Sequence, residues 1–153
     1  MERLNQFLLE RTGGEKYATI FYCLIHEDGR LVYINAAHPP PLVLRVDGAR
    51  QELEANGMPV GMMEDAGFPS AEERLAPGDK IVIYSDGVTE AQNTEGQFFG
   101  RKRLQEIVTK HAGATCAAIH SAIQEAVTTF TEGAAQSDDI TVLVLEFQGI
   151  GGA

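Results

Sequence analysis

Lys80-Ile-Val-Ile-Tyr-Ser-Asp-Gly-Val-Thr-Glu-Ala91 runs from strand formers straight into a turn. Ile81 to Tyr84 are β-branched or aromatic, and Ser85-Asp86-Gly87 stops them. A short apolar run bounded by turn residues reads as a buried strand. Such a strand, ending in Asp-Gly, carries a carboxylate to the rim of a sheet. An inverted counterpart follows near the other end of the chain. Ser137-Asp138-Asp139 leads into Ile140-Thr-Val-Leu-Val-Leu-Glu-Phe147, a second buried-strand run. One strand ends in acid and the other begins in it, so antiparallel pairing would set the carboxylates side by side.

The segments between these two runs complete the pattern. Residues 2–11 predict a helix, with Leu4, Phe7 and Leu8 at helical spacing and Gly13-Gly14 as its stop. Residues 17–25 predict a strand, His26-Glu-Asp-Gly29 a tight turn and residues 30–35 the return strand of a hairpin. Ala36-Ala-His-Pro-Pro-Pro41 excludes helix and central strand and reads as an extended rim loop. Further strands are expected at 42–45, 50–54 and 68–75, with a glycine-containing loop at 56–63. Helices are expected at 101–111 and, capped by Thr115, at 115–131. Strand runs segregated from helical runs predict an α+β domain in which helices cover antiparallel sheets.

At 153 residues the chain reads as one domain, with 44% apolar and 22% charged residues. Its formal charge of −10 argues against nucleic acid or an anionic membrane as partner. It fits a cation site or a basic protein surface, although acidity also serves solubility. No run approaches the roughly 20 apolar residues of a membrane helix. Cys23 and Cys116 lack metal or disulfide spacing and read as buried, reduced thiols of a cytoplasmic protein.

Asp86 and Asp138 carry the candidate chemistry. Hard divalent cations take carboxylate oxygens, and a short side chain on a strand end is held firmly. Asp-Gly is also a common turn and Ser-Asp-Asp a common cap, so each element taken singly admits either reading. His38, in the proline-rich loop, is a candidate for contact with substrate or metal, or a residue that packs its loop. His26, His111 and His120 share no ligand spacing, and neither Gly-x-Ser-x-Gly nor a phosphate-binding Gly-Lys-Ser/Thr loop occurs.

Six segments occur in order: Leu31-Val-Tyr-Ile-Asn-Ala-Ala-His-Pro-Pro-Pro-Leu42, Gly57-Met-Pro-Val-Gly61, Leu75-Ala-Pro-Gly-Asp79, Tyr84-Ser-Asp-Gly-Val-Thr-Glu-Ala91, Phe99-Gly100 and Ser137-Asp-Asp-Ile-Thr-Val142. The set resembles the metal-dependent protein serine/threonine phosphatases (the PPM family). The likeness is to the bacterial branch typified by stage II sporulation protein E and the stress-response sigma-factor regulators. It covers about residue 3 to 147. The resemblance implies an antiparallel β-sandwich flanked by helices, with Mn²⁺ or Mg²⁺ at its edge. It implies Asp86 and Asp138 as metal ligands, with Asp139 as the alternative to Asp138. The implied activity is hydrolysis of a phosphorylated regulatory protein, of the anti-sigma-factor-antagonist type, by a metal-activated water.

Two departures qualify the resemblance. Ala37 stands where the family usually has glycine, beside His38. The family's upstream Asp-x-x-Gly-Lys/His-Gly segment, whose Asp bridges two metals, does not occur in the chain. A bridging carboxylate is what keeps paired metals about 3.5–4 Å apart. The expectation is therefore a partial phosphatase domain over 1–148, lacking the first strands and helix, followed by a flexible tail at 149–153. It is either a fragment or a reduced relative. The alternative function is a catalytically deficient binding module that docks a partner or forms a homodimer over its open edge.

Overall fold

The structure, a computed structural model, describes residues 1–136 and 138–149. Ser137 and most of the expected tail lie outside the described residues. The order of elements is α1 (Glu2–Thr12), β1 (Ile20–Ile25), β2 (Arg30–Ala36), β3 (Leu42–Leu44), β4 (Arg50–Glu52), β5 (Ala71–Arg74), β6 (Lys80–Tyr84), α2 (Asp86–Thr89), α3 (Gly100–Lys110), α4 (Cys116–Phe130) and β7 (Val142–Glu146). Two antiparallel sheets result, in the orders β1-β2-β5 and β4-β3-β6-β7. The α+β class expected from the sequence is the class observed. The chain divides into two compact units, each holding one of the sheets.

The first unit comprises residues 1–40 and 53–75. Its hairpin pairs Ile20 with Ala36 and Ile25 with Leu31. Gly29, at φ 86°, closes the turn by donating its N–H to the carbonyl of His26. That is the left-handed geometry that Asp-Gly supplies. β1 begins later than expected because Ala18 leaves the hairpin. It exchanges two backbone hydrogen bonds of 2.8 Å with Val60 instead. Gly13, in the left-handed conformation, ends α1 as expected, but the buried face of the helix differs. Leu4 and Phe7 are exposed, and Asn5 is buried. The Asn5 amide donates to the Met63 carbonyl at 2.8 Å and accepts from the Gly61 N–H at 2.7 Å. A satisfied amide can be buried at little cost, and it docks α1 on the loop.

Asn35 organises the rim loop in the same way. Its fully buried amide donates to the Leu53 carbonyl and accepts from the His38 N–H, both at 2.9 Å. Between them, Ala37 has φ 61°, the one positive φ outside glycine among the described residues. The chain keeps the backbone that glycine favours while carrying a methyl, which strains an L-residue by about 1–2 kcal/mol. Ala37→Gly is expected to raise stability by about 0.5–1 kcal/mol, the relief exceeding the entropy cost of glycine. Urea unfolding midpoints of the two chains check this.

The second unit comprises residues 41–52 and 76–148. β6 lies inside its sheet, and Ile81, Val82 and Tyr84 are buried as expected. Leu42, Leu44, Val82 and Tyr84 share a core with Leu104 and Val108 of α3 and Ile119, Ile123 and Val127 of α4. The last three recur every four residues, one stripe of a helix. Each contributes about 1.5–3 kcal/mol by burial. Thr115 caps α4 as expected, its hydroxyl accepting from the Ala118 N–H at 3.2 Å.

Three expectations need correction in addition to the face of α1. β7 is an edge strand rather than a buried one, with Leu143 about half exposed. It starts at Val142 because the Thr141 N–H is taken by a side chain, the Ser85 hydroxyl, instead of a ladder carbonyl. The polar stretch after the β6 strand opens with one helical turn, α2. Cys23 and Cys116 are free but only half-buried, and partial burial pushes the Cys23 thiol up from its ordinary value. Among the described residues no helix is long and apolar enough to cross a membrane.

Candidate functional site

β6 and β7 are antiparallel neighbours, and Tyr84 pairs with Val142 at their ends. The two acid-bearing segments therefore leave the sheet side by side. The Ser85 N–H donates to the Thr141 carbonyl at 3.0 Å, one step beyond the ladder. The Ser85 hydroxyl donates to the Asp139 carbonyl and accepts from the Thr141 N–H, both at 2.9 Å. On the far side of Asp86, Gly87 lies against the same segment. A Cβ built there would sit 2.3 Å from the Asp139 carbonyl oxygen. Asp86 is thus flanked by Ser85, hydrogen-bonded to the segment that bears Asp138 and Asp139, and by Gly87, which lies close against it.

All three carboxylates are exposed. One oxygen of Asp86 accepts from the Gly87 N–H at 3.0 Å, and one of Asp138 accepts from the Asp139 N–H at 2.7 Å. The main-chain carbonyl of Asp138 is held by the Gln136 amide at 2.8 Å. Among the described residues no ion pair involves Asp86, Asp138 or Asp139. A cavity of about 260 Å³ shares Gly87 and Asp138 with these segments and is also lined by Gln92, Thr128 and Thr131.

Charge and donor type at this corner suit a hard divalent cation, for which carboxylate oxygens and water are the preferred ligands. The number of donors is smaller than such a centre takes. Among the described residues no group of three or more His, Cys, Asp or Glu side chains is placed to hold a metal ion. The donor set therefore fits in kind and is short in count.

His38 belongs to the first unit, whereas the three aspartates belong to the second. Its ring packs 6.4 Å from the Phe21 ring, centroid to centroid, and its Nδ1 lies 2.8 Å from the Pro39 carbonyl. A carbonyl only accepts, so Nδ1 carries the proton and Nε2 is the nitrogen left for a ligand. Ser85 and Gly87 are the site residues that sequence reasoning passed over as mere turn formers. The available signal was the inverted symmetry of the two acid-bearing segments, which demands a close approach at the strand ends.

A family model described as stage II sporulation protein E (SpoIIE) matches residues 1–148. Over 130 residues the chain is 35% identical to Protein IcfG of Synechocystis sp., a match covering 84% of this chain and 20% of that protein. It is 31% identical over 113 residues to Phosphoserine phosphatase RsbU of Bacillus subtilis, covering 72% of this chain and 33% of the relative. The chain thus matches about a fifth to a third of the length of these relatives. The solved RsbU and RsbW domains of Rv1364c from Mycobacterium tuberculosis superpose with a TM-score of 0.72 at 25% identity. That match covers 93% of this chain and 39% of the other.

Proposed function

The chain belongs to the SpoIIE family of PPM-type phosphatases, and from that premise we propose that it contributes to a metal-dependent protein phosphoserine/phosphothreonine phosphatase. The observation that carries the reading is the junction of β6 and β7, which places Asp86 beside the segment of Asp138 and Asp139. Asp86 and Asp138 are the proposed ligands of Mn²⁺ or Mg²⁺, with Asp139 as the alternative to Asp138. A divalent cation bound there would neutralise phosphoryl oxygens and make water a better nucleophile. The residues of the chain have a separate task, which is to present fixed carboxylate oxygens at the end of a rigid strand. The proposed substrate is a phosphorylated regulatory protein of the anti-sigma-factor-antagonist type, met in the cytoplasm, with His38 on the substrate side.

One observation favours a second reading. With no group of three or more His, Cys, Asp or Glu side chains placed to hold a metal ion among the described residues, the chain also fits a phosphatase-like binding module without turnover. The exposed Tyr22, Leu24 and Ile25 on the edge strand β1 would then face a partner or a second copy.

A calorimetric titration with Mn²⁺ tests the metal reading. Asp86→Asn and Asp138→Asn are each expected to lower affinity at least about tenfold, the weight of one charged ligand. An Asp86→Asn chain that binds Mn²⁺ as the wild type does would sink it. Release of phosphate from a phosphoserine peptide, measured on the same proteins, separates the enzyme from the binding module.

A further inference from the structure

Ser85 occupies the N-cap position of α2, with the extended backbone (φ −76°, ψ 161°) typical of a capping residue. Serine is favoured there because its hydroxyl ordinarily accepts from an N–H of the first helical turn. Here it makes no such bond. The hydroxyl is turned across the sheet, where it donates to the Asp139 carbonyl and accepts from the Thr141 N–H. The backbone ladder has run out at this point. Its last paired residues are Tyr84 and Val142, extended by a single bond from the Ser85 N–H to the Thr141 carbonyl. Beyond that bond the hydroxyl spans Ile140, holding the residue on each side of it. A side chain thus continues the work of the ladder into the segment that bears the acids.

We infer that Ser85 is a positioning residue for the metal-binding acids, its hydroxyl fixing the Asp138–Asp139 segment against Asp86. The inference rests on the reading of these aspartates as cation ligands. Ser85 itself touches neither cation nor substrate. Its effect comes through geometry: acids held in place lose little freedom on binding an ion, and acids on a loose segment lose more. The requirement is for a hydroxyl that both donates and accepts. Threonine supplies one, and its β-branch suits the extended backbone. Alanine supplies none and leaves the Asp139 carbonyl and the Thr141 N–H to water.

The test compares wild type, Ser85→Ala, Ser85→Thr and Asp86→Asn by three measurements: amide hydrogen exchange at Thr141, calorimetric Mn²⁺ affinity and melting temperature. Ser85→Ala is expected to speed exchange at Thr141 and to weaken Mn²⁺ binding about tenfold, as loss of one or two hydrogen bonds implies. The melting temperature should fall by only a few degrees. Ser85→Thr is expected to restore both exchange protection and affinity, a rescue that a role in bulk stability would not require. Unchanged Thr141 exchange in Ser85→Ala overturns the clasp on structural grounds, whatever the metal does. Wild-type Mn²⁺ affinity in Ser85→Ala, alongside its loss in Asp86→Asn, overturns the positioning role alone. Wild-type affinity in Asp86→Asn overturns the metal reading and, with it, any part for Ser85 in affinity.

Discussion

Gly87→Ala is expected to cost about 3 kcal/mol of stability, the upper end for overpacking, and to abolish the proposed Mn²⁺ binding at the junction of β6 and β7. The added Cβ would stand 2.3 Å from the Asp139 carbonyl oxygen and 3.0 Å from its carbon. Both atoms are backbone, so no side-chain rotation relieves the contact. One of the two segments has to move, and either movement draws the segment of Asp86 away from that of Asp138 and Asp139. The glycine is required for space and not for backbone conformation, because Gly87 is the second residue of α2 and is not among the positive-φ glycines. Gly113→Ala is the matched control, since nothing lies within 4 Å of its Cβ position. It should leave stability within about 1 kcal/mol of wild type or raise it slightly. Urea denaturation with Mn²⁺ calorimetry measures both effects. Wild-type behaviour of Gly87→Ala would show that the two backbones are not in contact.

Asp79→Ala is expected to lower stability by about 3 kcal/mol, the loss that follows when one member of a buried ion pair is removed. For a chain of this size that is a fall of roughly 6–12 °C in melting temperature. Asp79 is 1% exposed. One carboxylate oxygen accepts from the Arg45 guanidinium and from the Ala76 N–H, both at 2.9 Å, and the other accepts from the Val46 N–H at 3.1 Å. A single side chain thus ties the turn after β3 to the turn before β6. Its own carbonyl accepts from the Phe147 N–H at 2.9 Å, which adds the end of β7. Without the carboxylate, the Arg45 charge and two N–H groups lose a common acceptor.

The same carboxylate makes stability depend on pH. Burial alone would raise its pKa. The Ala76 N–H, the Arg45 guanidinium and the Val46 N–H outweigh burial and hold it below the ordinary 3.8. A folded-state value below the unfolded one means that the native state resists protonation there. The stabilisation is fully present above about pH 4, the ordinary range for Asp, and is lost as pH falls through the depressed value. The stability gap between wild type and Asp79→Asn should therefore narrow on acidification through that range. Thermal melts from pH 7 to pH 3 measure it, and a gap that widens toward low pH would refute the assignment.

What could be read in the sequence was what local chemistry dictates. Strand formers stopped by Asp-Gly identified β6, β-branched and aromatic residues followed by an Asp-Gly turn identified the β1–β2 hairpin, and Thr115 marked the start of α4. The antiparallel meeting of the Asp86 and Asp138 segments was legible because one run ends in acid and the other starts in it. What escaped depends on partners distant in sequence. Asn5 looks like a surface residue until Gly61 and Met63 satisfy its amide. β7 has the composition of a central strand, and no composition reveals that a strand lies at an edge. Ser85 resembles a local cap, and only the fold shows its hydroxyl committed across the sheet.

The second sheet has a consequence for the order of assembly during synthesis. Its spatial order, β4-β3-β6-β7, places the hairpin made first beside strands made last. When β3 and β4 leave the ribosome, Leu42, Val43 and Leu44 have only the polar Arg50-Gln-Glu52 strand beside them. The partner that lies along the other side of β3 is β6, and β6 in turn waits for β7, the last strand among the described residues. Long-range pairings of this kind form slowly and leave apolar strands open to misassociation meanwhile. The corner holding Asp86 and Asp138 therefore takes shape only once β7 has been made, so a chain stalled before Val142 would hold Asp86 on an unpaired strand end.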